Sequence, residues 1–120
     1  MTRTQYAPGD SDTRPWGRWK VLDASSNFTL KTIEVDAGQR LSLQFHHHRS
    51  EHWVVVQGQG QVTIGDDQFR VAPGSHVHIP RRAPHRLQNT GDQPLTIVEV
   101  QYGDRLDEDD IVRIEDDYHR

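Results

Sequence analysis

Leu41-Ser42-Leu43-Gln44-Phe45-His46-His47-His48-Arg49-Ser50-Glu51-His52-Trp53, closed by Gly58, gathers up to five strong metal donors into one short segment. Side chains of a strand alternate in direction. Leu41, Leu43 and Phe45 therefore share one face, and Ser42, Gln44 and His46 share the other. Hydrophobicity alone does not say which face turns inward. If the donors do, Gln44 and His46 point at one site, and His47-His48-Arg49-Ser50 forms a hairpin tip. Glu51 then starts a return strand opposite His46. A further donor, His85, lies downstream in Ile79-Pro80-Arg81-Arg82-Ala83-Pro84-His85-Arg86-Leu87-Gln88-Asn89 and would join from an adjacent strand. The chain has no cysteine, so a thiolate zinc site and disulfides are excluded. The donors left are imidazole, carboxylate and amide, the set for a divalent metal inside a β-barrel. The competing reading of the histidine run is a solvated polar loop.

Turn signals cut the rest into short pieces. Ser25-Ser26-Asn27, Asp36-Ala37-Gly38, Gly58-Gln59-Gly60, Gly65-Asp66-Asp67, Pro73-Gly74 and Asn89-Thr90-Gly91-Asp92 separate them. Between these lie Arg18 to Asp23, Phe28 to Val35, Leu41 to His46, Glu51 to Gln57, Gln61 to Ile64, Gln68 to Val71, Ser75 to Ile79, His85 to Gln88 and Leu95 to Gln101. Short alternating segments at such spacing indicate an all-β sandwich or barrel. Leu106 to Ile114 reads as one helical turn. Residues 1–13 read as a flexible N-terminal arm, and 14–120 as a single domain.

The composition narrows function. Hydrophobic residues make up 32% of 120, enough for one small core if they share strand faces. Net charge is −4, and no basic stripe argues for nucleic acid. Eight acids crowd positions 104–117, whereas Arg81, Arg82 and Arg86 stand beside His76, His78 and His85. That basic patch suits a small anion better than a polymer, unless it is a solvated loop. No apolar run nears the roughly 20 residues of a membrane helix, and no apolar signal core opens the chain. The expectation is a cytoplasmic protein without membrane or nucleic-acid partners.

Gln44-x-His46-(four residues)-Glu51-(six residues)-Gly58 resembles the first cupin motif, with Gln44 where the first His usually stands. Gly74-(five residues)-Pro80-x-Arg82-(two residues)-His85-(three residues)-Asn89 resembles the second, with Arg82 in place of the usual Gly. Arg14-Pro15-Trp16-Gly17, Glu51-His52-Trp53-Val54-Val55-Val56, Pro84-His85-Arg86-Leu87, Ile97-Val98-Glu99-Val100-Gln101 and Glu108-Asp109-Asp110-Ile111-Val112-Arg113 are similar to the type II phosphomannose isomerase domain. That cupin is often fused behind a mannose-1-phosphate guanylyltransferase. The resemblance runs from about Arg14 to Arg120 and departs at His119, where the family usually ends Tyr-Gly-Arg. A guanylyltransferase part is missing, so no nucleotide transfer is expected.

The resemblance implies a double-stranded β-helix, or jelly-roll barrel, and a metal held by Gln44, His46, Glu51 and His85, with His48 in reserve. Zinc is the expected ion, with Mn, Fe, Co or Ni also accepted. The implied reaction interconverts mannose 6-phosphate and fructose 6-phosphate through an enediol, in the supply of polysaccharide precursors. His48, Lys31, Glu99 or a metal-bound hydroxide would carry the proton. Arg49, Arg82 and Arg86 would bind the phosphate, because guanidinium offers paired donors. Glu99 shares a partly buried face with Ile97 and needs a partner there. Open sheet edges point to a homodimer. Two alternatives stand: a non-catalytic cupin that binds a sugar or sugar phosphate, and another cupin enzyme such as a dioxygenase.

Overall fold

A computed structural model describes residues 5–107 and 109–118. Within them the chain forms β1 Ser11–Arg14, β2 Gly17–Ala24, β3 Phe28–Val35, β4 Leu43–Phe45, β5 Arg49–Gln57, β6 Gly60–Ile64, β7 Asp67–Val71, β8 His76–Ile79, β9 His85–Asn89, β10 Leu95–Gly103 and β11 Val112–Glu115. One sheet runs β1-β2-β3-β10-β5-β8 and the other β11-β4-β9-β6-β7. Every pairing is antiparallel. The all-β expectation holds: two sheets face each other as a jelly-roll barrel.

Alternation decides what fills the barrel. Along β3 every second residue is buried, and β10 and β5 repeat the pattern over most of their length. Register aligns the inward positions of these three strands. Ile97 lies beside Ile33 and Val55, Glu99 beside Lys31 and Trp53, and Gln101 beside Thr29 and Glu51. The interior therefore changes character along the strands. Val35, Ile33, Val55, Leu95 and Ile97 belong to an apolar core with Val21, Val62, Val77 and Leu87. A few residues further along, the same faces carry Lys31, Glu99, Gln101, Glu51 and Arg49, all buried. The core supports the fold, and the polar end of the interior is the site.

Three local expectations change. The donor segment is not a hairpin: β4 pairs with β9 and β11, whereas β5 pairs with β10 and β8. Residues 46–48 cross between sheets, so His46 meets Glu51 across the interior rather than along a ladder. Leu106 to Ile114 holds no helix among its described residues, and Val112–Glu115 forms an edge strand. Part of the segment read as an arm joins the fold. Ser11–Arg14 pairs with β2, and Tyr6 packs edge-on against Trp19 at 5.5 Å. Met1 to Thr4, Glu108 and His119 lie outside the described residues.

Gly58 shows why the first array ends in glycine. Its φ is +84°, and a Cβ there would collide with the backbone of Pro94 and Leu95. Gly74 has φ +93° with open space around it. Left-handed backbone alone costs a non-glycine residue about 1–2 kcal/mol. Gly74→Ala is expected to lose about that much in urea denaturation. Gly58→Ala should lose clearly more, because backbone must also move.

Candidate metal centre

His46 follows the last residue of β4, Glu51 sits near the start of β5, and His85 opens β9. One donor atom from each lies within 4.8 Å of the others, and all three residues are buried. His46 Nε2 is 3.2 Å from Glu51 Oε2, and His85 Nε2 is 4.0 Å from Glu51 Oε1. Gln44 is half-buried, pairs with His85 in the β4–β9 ladder and lines the same pocket.

The second ring nitrogens set the chemistry. His46 Nδ1 is 2.6 Å from the Asp110 carbonyl oxygen, and His85 Nδ1 is 2.9 Å from that of Ala83. A carbonyl accepts only, so each Nδ1 carries the hydrogen and donates it. Both Nε2 lone pairs then belong to the Glu51 side, the outer-shell pattern of metal-binding histidines. Burial lowers the His46 imidazole to about 4 against the pull of Glu51. Burial also lowers His85. Two neutral imidazoles and a carboxylate thus present lone pairs to one another. Such a group can hold a metal ion, and its N and O donors fit a divalent first-row ion.

The carboxylate stays charged for a local reason. Burial pushes the Glu51 carboxyl up, but the Arg49 guanidinium and His46 outweigh it and hold it well below the usual carboxylate range. Arg49 Nε donates to Glu51 Oε2 at 2.8 Å, Nη1 donates to the Asp107 carbonyl at 3.3 Å, and Nη2 lies 3.3 Å from His46 Nε2. The Trp53 indole N–H is shared between Glu51 Oε1 at 3.0 Å and Glu99 Oε1 at 2.9 Å. Glu99 also accepts from the Gln101 amide at 2.8 Å. Burial, then the charge of Glu51, push the Glu99 carboxyl up to about 8. The two carboxyls thus divide their roles: Glu51 ionised, Glu99 protonated at neutral pH.

The remaining candidates separate by position. Lys31 lines the pocket, donates to the Tyr6 hydroxyl at 3.1 Å and rests over the Tyr6 and Trp19 rings at 4.2 and 4.4 Å. Arg49 lines it too, with its donors aimed at Glu51, His46 and Asp107. Three candidates do not reach the pocket. His48 faces Asp104 at 3.5 Å with its side chain 43% exposed. Arg86 points away from His85, as adjacent strand residues must. Its guanidinium binds the Leu41 carbonyl at 2.9 Å and Glu115 at 3.0 Å. Arg82 is exposed, with φ 65°, the only non-glycine described residue in left-handed backbone. That conformation accounts for the usual glycine there, and the Arg82 amide donates to the His46 carbonyl at 2.8 Å.

The structure adds residues that motif reading passed over. Arg14, Arg113 and Tyr6 line the pocket. The first two stand inside the quoted family-like stretches, which is the signal that could have found them. Asp110 is a positioning group: its carboxylate accepts the His47 and His48 amides at 2.9 and 3.0 Å while its carbonyl holds His46.

Comparison with known proteins agrees with this geometry. Residues 3–116 match the family described as Mannose-6-phosphate isomerase C-terminal. The alginate biosynthesis protein AlgA of Pseudomonas aeruginosa is 50% identical over 107 residues, 89% of this chain and 22% of that protein. A mannose-1-phosphate guanylyltransferase of Escherichia coli is 44% identical over 118 residues, 98% of this chain and 25% of that protein. The chain thus spans about a quarter of these relatives. The cupin domain of Schizosaccharomyces pombe Cnp3 superposes with a TM-score of 0.70 at 19% identity, over 72% of this chain and 64% of that one. The fold is a cupin. No described helix is long and apolar enough to cross a membrane.

The raised Glu99 carboxyl has a stability consequence. Unfolded, a glutamate releases its proton near 4.5, and folded Glu99 keeps it to about 8. The folded chain therefore binds more protons in that window. The Glu99 contribution is complete below pH 4.5 and is lost as pH rises through about 8. His46, lowered to about 4 from 6.5, gives the opposite slope, with stability lost as pH falls from 6.5 towards 4. Above pH 6.5 the Glu99 slope stands clear of the His46 one. In chelated, metal-free protein, Glu99→Gln is expected to flatten the loss of Tm between pH 6.5 and 8. An unchanged profile would assign the slope elsewhere.

Proposed function

The chain belongs to the mannose-6-phosphate isomerase C-terminal family, and from that premise we propose that it interconverts mannose 6-phosphate and fructose 6-phosphate. One observation carries the reading. The buried His46–Glu51–His85 group opens into a pocket of about 110 Å³ that also exposes a protonatable carboxyl, Glu99, and the cations Arg14, Lys31 and Arg113. An aldose–ketose isomerase needs these parts: an electrophile for the carbonyl, a proton carrier for neighbouring carbons, and an anion site away from them.

His46, Glu51, His85 and Gln44 would hold the ion. A bound divalent metal, zinc first among Mn, Fe, Co and Ni, supplies Lewis acidity to the carbonyl oxygen and its neighbour. The chain's own residues do the rest. The ionised form of Glu99 is the minority form at neutral pH, because its carboxyl is pushed up to about 8. That form takes the proton from C2 and returns it to C1, and as a carboxylate it is a stronger base than an ordinary glutamate. The Trp53 and Gln101 N–H groups keep Glu99 in place through the transfer. Lys31 lies beside Glu99 in the β3–β10 register and offers a proton donor to a sugar oxygen. Arg14 and Arg113 take the phosphate, and Trp16, Trp19, Ile33 and Leu41 exclude water from the walls. Arg49 fixes the ligand carboxylate, and Arg82 and Arg86 have structural duties. The reacting end of the sugar lies beside the metal donors and Glu99, and the phosphate lies against Arg14 and Arg113.

The substrate is thus a sugar phosphate in polysaccharide precursor supply, and the ends of each sheet, β1 and β8 or β11 and β7, offer edges for a homodimer. A second reading has one observation behind it. Two histidines and a carboxylate also make an iron site for oxygen chemistry if Gln44 does not ligate. Oxygen uptake by iron-loaded protein separates the two.

Chelation should abolish mannose 6-phosphate turnover and a divalent ion restore it, with His46→Ala and His85→Ala inactive. Undiminished turnover in verified metal-free protein would refute the proposal. Glu99→Gln should lower kcat about 10²–10⁴-fold, the range of a general acid–base group. Arg14→Ala and Arg113→Ala should chiefly raise KM for the sugar phosphate, as groups that bind away from the reacting carbons do.

A further inference from the structure

The outer face of the six-stranded sheet carries a second set of imidazoles. Val77 and Ile79 of β8 are buried, so His76 and His78 turn outward, and His52 turns outward between inward Glu51 and Trp53. The strands bring the three rings together. His52 and His78 are directly opposed in the β5–β8 register, their ring centroids 4.5 Å apart and the planes 15° from parallel. The His76 ring is 5.2 Å from that of His52 and 9° from parallel. His52 Nδ1 and His76 Nε2 are 3.1 Å apart. Tyr102 stacks on the far side of His52 at 5.7 Å.

We propose that His52 and His76, backed by His78, form a second, solvent-facing site for a late first-row divalent ion. The two nitrogens are within hydrogen-bond distance of each other, and the same spacing fits the bite of such an ion. Metal–nitrogen bonds of about 2.0–2.1 Å, meeting at angles between square and tetrahedral, separate two nitrogens by about 2.9–3.4 Å. The 3.1 Å spacing lies inside that range. The soft terminal torsion of histidine lets each ring aim its lone pair with little cost. Antiparallel pairing on a rigid sheet keeps the donors together before an ion arrives, so little ordering entropy opposes binding. The donors are imidazoles, which favours Zn, Cu and Ni over Mg and Ca. The site is separate from the inner one: Glu51 and His52 are neighbours in sequence but point to opposite faces of β5.

Zinc titration of the full chain by calorimetry and equilibrium dialysis tests this. Wild-type protein should take up one more equivalent than His76→Gln/His78→Gln. His46→Ala/His85→Ala should lose the inner equivalent and keep the outer one, so failure of the inner site does not affect the test. His47→Gln/His48→Gln, altering two histidines of the crossover, should keep both. In wild-type protein, ring-nitrogen NMR should show His52 Nδ1 and His76 Nε2 shifting together with the outer equivalent. This reading does not depend on how the variants fold. An outer equivalent that survives His76→Gln/His78→Gln, disappears with His47→Gln/His48→Gln, or leaves the His52 and His76 signals unmoved overturns the proposal. So does its absence in wild-type protein at millimolar zinc.

Discussion

A carboxylate buried in a barrel of valine, isoleucine and tryptophan must be partnered, and much of this molecule follows from how Glu51 is partnered. At 1% exposure its ionised form is tolerated only with charge and hydrogen bonds close at hand. Arg49 supplies the charge two residues earlier on the same inward face, and Trp53 supplies an indole N–H two residues later. Arg49 is itself buried and needs an acceptor, which the Asp107 carbonyl provides from a distant part of the chain. Three alternate residues of one strand thus make a short electrostatic unit. Removing Arg49 would leave an unpaired charge inside the barrel, a more costly outcome than the loss of one surface bridge.

The same faces that build the core also build the site, which accounts for its rigidity. β3, β5 and β10 pass from aliphatic to polar side chains without changing register. Donor positions are therefore set by the packing of Ile33, Val55, Ile97 and Leu95 a few residues away. Trp53 serves both regions: its indole is 2% exposed, closes the apolar core and donates to two carboxyls. Holding those carboxyls together places a negative charge beside Glu99, which then retains its proton. A packing residue thereby takes part in setting an acidity.

Much of this was legible in the sequence, for reasons that also explain the misses. Strand alternation put Gln44 with His46, and motif spacing brought Glu51 and His85 to the same cavity. Alternation could also have separated His85 from Arg86, whose face is covered by the Glu115 strand. The crossover between sheets was illegible because a link of three or four residues serves equally for a hairpin or a change of sheet. Strand β1 escaped because an exposed edge strand of polar residues carries no hydrophobic period. In β11, Val112 and Ile114 do alternate with Arg113 and Glu115, but this short segment was absorbed into a helical turn. The wall residues Arg14 and Arg113 lie in family-like stretches, but those stretches carry no donor spacing, and closure of the barrel is what brings the two side chains to the pocket. The Glu99 acidity was half legible: its face predicted a partner, but that the partner would be another carboxyl depends on three-dimensional register.

The segment from Asp107 to Asp110 gives the fold an unexpected frontier. It supplies the carbonyl that receives Arg49, the carbonyl that fixes the His46 tautomer, and the carboxylate that tethers the His47 and His48 amides. None of these atoms belongs to either cupin-like array, and none lies on a strand. A shortened domain ending after β10 would keep every donor in place by sequence, yet it would release one imidazole to rotate and strand one guanidinium. The smallest piece able to grip an ion is therefore longer than the smallest piece able to close the barrel, and trimming for crystallisation or fusion has to respect the longer one.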